Sequence, residues 1–573
     1  MRKTLFDRAT GIIVAILTIA LLVFVQIMLG GRERVQGLVV DENKWDEIRS
    51  GREETDSNLL SKLNFDGQDL IYEGVNDKWY YSVVDGDNMA YNPRVRYNSG
   101  VKLAVLKEGL SEEMVARNET RKVMAYTDGK YRIYNLVATT LPLMTINYDG
   151  DGEALEKTDN AEMKMRLFDN RKNATQRVTE STGDMHVRGV MASNFPKKSY
   201  KMNLTKDSIG GSKRSNNVSL LGMEQNNDWI LYAGYNDQER VRNVFSSNLW
   251  KKSSAKNNSF GFINGSEYKY VELLVNGEYQ GLYALGYKLD EEQANLVKDI
   301  NGQYTEYLFK KSEWDYTTND EQINREKSEK MLSGFELKSK TENEKEAWAF
   351  LEDYYDLFTD KEDINALRAM TDMRTANDIY LFLDMVQGSD HVHEDIGLKN
   401  VLITIKKKDG KKIAVYSPWD LDLTWGNMYD EDALNLTGQY IVNPDDDFVM
   451  KEGPVYRLLE MKDVNTGLEV KERYLQLRRN EWSDEAISRM LNEYEDDIFD
   501  SGAYARDVKK WPKSTKLENS GEKLSKFKEY VKERMKHLDI VNGLKKEESL
   551  PEIEETETEK EPNLPTEVTR GRL

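Results

Sequence analysis

Between Asp384 and Gly426 the chain gathers many groups able to hold a cation or move a proton. The stretch reads DMVQGSDHVHEDIGLKNVLITIKKKDGKKIAVYSPWDLDLTWG. Asp390, Glu394 and Asp395 share one polar turn with His391 and His393, and the turn closes on Asn400. The runs VLITI and IAVYS flank KKKDGKK, the pattern of a β-hairpin. Pro418-Trp419-Asp420-Leu421-Asp422 follows directly. An acid, an amide, a hairpin and then further acids form an ordered set of hard oxygen donors. Such donors take Mg²⁺ and offset the charge on non-bridging phosphate oxygens, so the chemistry they suit is phosphoryl transfer. The same acids also suit solvated turn ends. His391 and His393, beside Glu394 and Asp395, offer a second and looser metal set.

Several elements must position these groups. DIYLFLDMV carries apolar residues at helical spacing and delivers Asp390 from its C-terminal end. Upstream, Arg188-Gly189 and the small residues after it suit a turn that lets backbone approach an anion. The strand KSYKMNL then carries Lys198 and Lys201, which either face solvent on an edge or reach phosphate groups. LLGMEQNNDWILYAGYNDQERVRN contributes apolar core and ends in a helix with Arg240, Arg242 and Asn243. YVELLVNGEYQGLYALGYK reads as two strands around Asn276-Gly277, a type I′ hairpin signal. Residues 301–343 read as a charged insertion with a strand or two. Residues 345–385 are mainly helical, and three further helical segments follow Gly426.

A length of 573 residues points to two to four domains. The net charge of −20, with no basic patch, disfavours nucleic acid as a partner. The 31 tyrosines and 10 tryptophans argue for a folded, strand-containing protein. The absence of cysteine excludes disulfides, thiolate metal sites and cysteine nucleophiles. Residues 1–8 form a basic tail, and residues 9–30 hold no charge. At about 1.5 Å per residue that stretch spans roughly 30 Å, and no A-x-A-like cleavage site follows it. It reads as an uncleaved transmembrane helix. The expected localisation is the cell membrane, single-pass, with a cytoplasmic N-terminus and the bulk of the chain extracytoplasmic. Residues 31–63 read as a stalk, 64–139 as a small β-rich module with hairpin signals, and 140–543 as the main α+β domain. Residues 544–573 are acidic, Pro-containing and expected to be disordered.

RGVMASNFPKKSYKMNL, LLGMEQNNDWILYAGYNDQERVRN, VELLVNGEYQGLYAL, the loop from Asp390 to Asn400 and SPWDLDLTWG occur in that order. Together they resemble the CotH family, the spore-coat-protein-H kinases, over roughly Leu141 to Ile540. The resemblance implies an atypical protein-kinase-like fold of two lobes, a β-rich N-lobe and a helical C-lobe, with a nucleotide cleft between them. It implies transfer of the ATP γ-phosphoryl group to Ser/Thr hydroxyls of surface or spore-coat proteins, with Mg²⁺ or Mn²⁺. By position, Arg188, Gly189 and either Lys198 or Lys201 would bind nucleotide. Those two lysines project to opposite faces of a strand, so only one can serve. Asp390 or Asp395 would be the catalytic acid. Asn400 and either Asp420 or Asp422 would hold metal. The chain departs from the family where Tyr287-Lys288 stands in place of a Glu-Lys pair, and where the loop between Asp390 and Asn400 is expanded. The other reading of the same residues is a pseudokinase scaffold for surface or coat assembly.

Overall fold

The computed structural model describes residues 33–148, 155–156, 159–189, 192–206, 214–313, 334–359, 362–393, 397–430 and 436–544. The basic tail, the apolar stretch 9–30, residues 314–333 of the insertion, Glu394 and Asp395, and the acidic tail beyond Leu544 lie outside them. The architecture is α+β.

Seven strands close into a ring. They are β1 (Leu143–Tyr148), β2 (Ala161–Phe168), β3 (Val178–Arg188), β4 (Ser199–Lys206), β5 (Asp228–Tyr232), β6 (Glu267–Val275) and β7 (Glu278–Tyr287). Their order is β3-β2-β1-β6-β7-β5-β4, and β4 pairs back onto β3 to complete the ring. Only β1 and β6 run parallel among these pairs. Alternation explains what each face buries. Met163, Met165, Met185, Met202, Trp229 and Tyr287 fill the interior. Ile230, Tyr232, Tyr268 and Tyr270 face outwards, into the core of the helical body. The β6–β7 hairpin turns at Asn276 and Gly277, whose φ values of 48° and 77° are those of the expected tight turn.

Beside this barrel lies a four-stranded sheet with β8 (Tyr307–Lys311), β9 (Phe335–Leu337), β10 (Val401–Lys408) and β11 (Lys411–Pro418), in the order β9-β8-β10-β11. The helical body includes α1 (Arg242–Ser253), α2 (Met373–Val386), α3 (Ala503–Lys510) and α4 (Ser525–Val541). One large core joins these helices to the outer barrel face and to the four-stranded sheet.

Residues 33–63, expected as a stalk, are folded into the N-terminal module. Val39 and Val40 pair in parallel with Val105 and Leu106. The helix Glu42–Arg49, capped by Asp41, places Trp45 and Ile48 on one face and buries them with Ala104, Met124 and Tyr131. Those two apolar side chains on one face explain why the segment does not stand free. The module's strand Lys130–Thr139 leads through Pro142 into β1, and its Tyr80 stacks on Tyr279 of β7 at 5.3 Å.

The membrane placement is corrected. Among the described residues no helix is long and apolar enough to cross a bilayer. The longest of them, α4, has 17 residues and carries charge on every turn, SKFKEYVKERMKHLDIV. A crossing takes about 20 consecutive apolar residues. The stretch 9–30, on which the expected anchor and the orientation rested, is outside the described residues.

Candidate active site

Helix α2 ends on Gln387, which takes the left-handed conformation (φ 49°) and turns the chain towards Asp390. Both oxygens of the Asp390 carboxylate are engaged. Oδ1 accepts from Lys399 Nζ at 2.9 Å, and Oδ2 from Asn400 Nδ2 at 2.7 Å. Asn400 Nδ2 also reaches the Asp390 carbonyl at 3.1 Å, and Asn400 itself sits at φ 54°. Asp390 and Asn400 are thus in direct contact. Asp395 lies outside the described residues.

Two hydrogen bonds fix the start of the second acidic segment against this turn. Asn400 O accepts from Trp419 N at 2.9 Å. Trp419 O accepts from His391 Nε2 at 2.8 Å. Burial pushes the His391 pKa down, in keeping with a neutral ring donating through Nε2. His391 Nε2 is therefore taken up by the Trp419 carbonyl, and Glu394 and Asp395 of the looser metal set lie outside the described residues. Asp420 then adopts φ 65°, and Leu421 N donates to Asn243 Oδ1 at 3.1 Å, which ties the segment to the start of α1.

Asp422 is half-buried and accepts from Asn236 Nδ2 at 3.3 Å. Burial, followed by the neighbouring charge of Asp420, pushes its pKa up to about 8 against the opposing Asn236 hydrogen bond, and Asp390 and Asp237 add to the rise. Asp422 therefore feels the charge of two other acids singled out in the sequence, Asp420 and Asp390. Two buried tyrosines of the outer barrel face look onto them. Burial raises the Tyr268 pKa to about 12, with Arg188 opposing the rise and Asp420 and Asp422 adding to it. Burial also raises Tyr232, which feels Asp422, Asp237 and Asp420.

A cavity of about 740 Å³ opens between the barrel and the four-stranded sheet. Ile230 lines its barrel side, and Leu308 and Leu402 line the sheet side. Lys201 faces it and pairs with Asp228 at 2.8 Å. Arg188 also lines it, its guanidinium 5.4 Å from the centre of the Trp419 ring, which lines the cavity too. Trp419 immediately precedes Asp420, so the cavity and the acids adjoin. Gly189 sits at φ 98°, where an added Cβ would lie 2.9 Å from Ala192 Cβ. Lys198 points elsewhere, donating to Ser193 O at 2.8 Å.

Sequence reasoning passed over several residues that position this site. Lys197 is fully buried, and its Nζ donates to Ala233 O, Leu282 O and Asp507 Oδ1 at 2.6–2.7 Å. Asp507 lies on α3, and its Oδ2 accepts from Arg240 Nε at 3.1 Å. Asn236, Asn243, Tyr232 and Tyr268 likewise drew no notice as site residues. The NDQERVRN block carried the signal for the two asparagines. Nothing local marked the tyrosines.

Among the described residues no cluster of three or more histidine, aspartate or glutamate side chains is arranged to hold a metal ion. The donor set beside the cavity combines acids with the amide of Asn400, and its mutual repulsion, visible at Asp422, is of the kind a bound cation relieves.

Residues 185–538, more than half of the chain, match the family model described as CotH kinase protein. No curated protein matches the chain.

Proposed function

The chain belongs to the CotH kinase family, and from that premise we propose that it transfers the γ-phosphoryl group of ATP to a serine or threonine hydroxyl of a protein. In this reading the barrel is the smaller lobe, the helical body the larger, and the cavity between barrel and sheet takes the nucleotide. One observation carries the reading. Asn400 bonds both the Asp390 carboxylate and the backbone of Trp419, Asp422 feels the Asp390 charge, and Trp419 lines the cavity together with Lys201 and Arg188.

Each residue has a task that follows from its surroundings. Ile230 above and Leu308 and Leu402 below offer apolar contact for a flat base. Lys201 and Arg188 supply positive charge for phosphate groups, and Gly189 keeps the turn beside Arg188 free of a side chain. Asn400, Asp420 and Asp422 would hold a divalent cation, which when bound offsets charge on the phosphate oxygens. Asp390 is held by Lys399 and Asn400, and its carboxylate retains lone pairs to take the proton of the incoming hydroxyl. That oxygen attacks the γ-phosphorus, the bond to the bridging oxygen breaks, and ADP leaves.

The test is Mg²⁺-dependent transfer from labelled ATP by the purified protein. Asp390→Ala and Asp422→Ala should each abolish it, while nucleotide binding to the wild type persists. A wild-type protein that neither binds nor turns over nucleotide would instead favour the scaffold reading.

A further inference from the structure

Tyr232 is the last residue of β5, and its side chain is 8% exposed. Ile230, two residues earlier on the same face of the strand, lines the cavity. Leu231, between them, points into the barrel. The face that begins as one wall of the cavity therefore continues through Tyr232 towards the acids. Four residues further on, Asn236 donates to Asp422 at 3.3 Å, which anchors that end of the segment beside the acids.

The Tyr232 hydroxyl is buried and has no hydrogen-bond partner among the described residues. Buried polar groups are nearly always paired, so an unpaired phenol beside a reaction site calls for a partner that arrives from outside the chain. A carboxylate would satisfy it, yet neither Asp420 nor Asp422 does so, although both act on it through space. Burial holds the phenol's pKa well above its ordinary value, so the group stays a donor across the neutral range. The missing partner is consequently an acceptor. Tyr232 lies behind Ile230 and does not itself line the cavity, but it lies close enough to feel Asp420 and Asp422. A phosphate held beside those acids with its cation would be the most highly charged acceptor brought there.

We propose that the Tyr232 hydroxyl is a nucleotide-binding group that donates a hydrogen bond to a phosphate oxygen of the bound nucleotide. This rests on the kinase reading above and adds to it a residue from the barrel wall.

Tyr232→Phe removes one oxygen and keeps the ring, so the packing of the core survives. Binding of Mg²⁺ with the non-hydrolysable analogue AMP-PNP, measured by calorimetry on the full chain, should weaken about ten- to a hundred-fold, the usual worth of a hydrogen bond to a charged group. Adenosine, which has no phosphate, should bind the two proteins alike. The ligand-free variant should melt at the same temperature as the wild type or slightly higher, because it loses an unpaired buried group. Equal affinity for AMP-PNP would overturn the inference and leave the hydroxyl bonded to water only. An equal loss for adenosine would also overturn it, since the effect would then lie in the ring. Weaker binding of Mg²⁺ alone would assign the hydroxyl to metal-bound water instead. If the wild type binds no AMP-PNP, the kinase reading falls first and this inference with it.

Discussion

Asp507→Asn puts the buried support of the site to a quantitative test. Asp507 Oδ1 accepts from Lys197 Nζ at 2.6 Å and from Leu282 N at 3.1 Å, and Oδ2 from Arg240 Nε at 3.1 Å. All three charged groups are buried. Asparagine keeps the volume but turns an N–H towards one of the cations and leaves both without a counter-charge. Removing one member of a buried ion pair costs about 3–5 kcal/mol, a large part of the 5–15 kcal/mol that separates most folded proteins from unfolded ones. Lys197 adds a pH signature. Burial lowers its pKa from 10.5 to about 8 despite the opposing charge of Asp507. Between those two values the unfolded chain holds a proton that the folded chain has released, so this group's contribution to stability rises with pH there. Below the folded pKa the ammonium is charged in both states and its burial cost is present in full. Without Asp507 the folded pKa drops further. The deficit of Asp507→Asn is therefore largest in mildly acidic buffer, shrinks as pH climbs towards 8, and levels off above it. Urea unfolding of both proteins at pH 6, 7.5 and 9 measures this, with hydrogen exchange of the Leu282 amide reporting on the site itself. An unchanged midpoint at pH 6, or a deficit that grows towards pH 9, would refute the reasoning.

Two further substitutions probe the packing of the helical body. Gly426 lies at φ 87°, and an added Cβ would sit 2.8 Å from the Tyr530 ring, whose hydroxyl lies within hydrogen-bond reach of both Gln387 Oε1 and Val442 O and can donate to one of them at a time. Gly426→Ala should cost about 2–4 kcal/mol from strain and overpacking together, read as a lower melting temperature. Asp497 is pushed up to about 7 by burial and then by Asp496 and Glu493. The folded chain keeps its proton between roughly pH 4 and 7 where the unfolded chain has lost it, so stability falls as pH rises through that window. Asp497→Asn should consequently raise the melting temperature at pH 8 and leave it nearly unchanged at pH 4.

What the sequence made legible follows the range of each interaction. The hairpin of β10 and β11 announces itself through Asp409-Gly410, whose φ values of 50° and 76° only a few residue types take readily. Asp390 and Asn400 are ten residues apart, and their contact needs only a tight loop. The choice between Lys198 and Lys201 was not legible, because strand alternation separates the two but does not say which face meets the cavity. Tertiary packing settles their placement: Met202 and Leu204 claim the barrel interior, leaving Lys201 and Asn203 on the cavity side. The stalk was misread for a related reason. VVDENKWDEIRS is polar by count, but Trp45 and Ile48 share a face, and whether such a face finds a partner depends on strands more than fifty residues away.

Asp507 shows the same limit most sharply. AYARDVKK is strongly amphipathic, and a lone aspartate on such a helix ordinarily faces water. Here α3 packs along β7, where Gly281 has no side chain. A Cβ at that position would fall 2.2 Å from Asp507 Oδ1. The carboxylate can reach Lys197, Arg240 and the Leu282 amide only because that space is empty. Groups suited to chemistry cluster in short, recognisable segments, since each loop must present several of them at once. The groups that hold those loops in place come from the far end of the chain, and the glycine that admits them carries no local mark of its purpose. Local pattern can therefore nominate a reacting group, whereas the residues that fix its position are found only where the chain closes on itself.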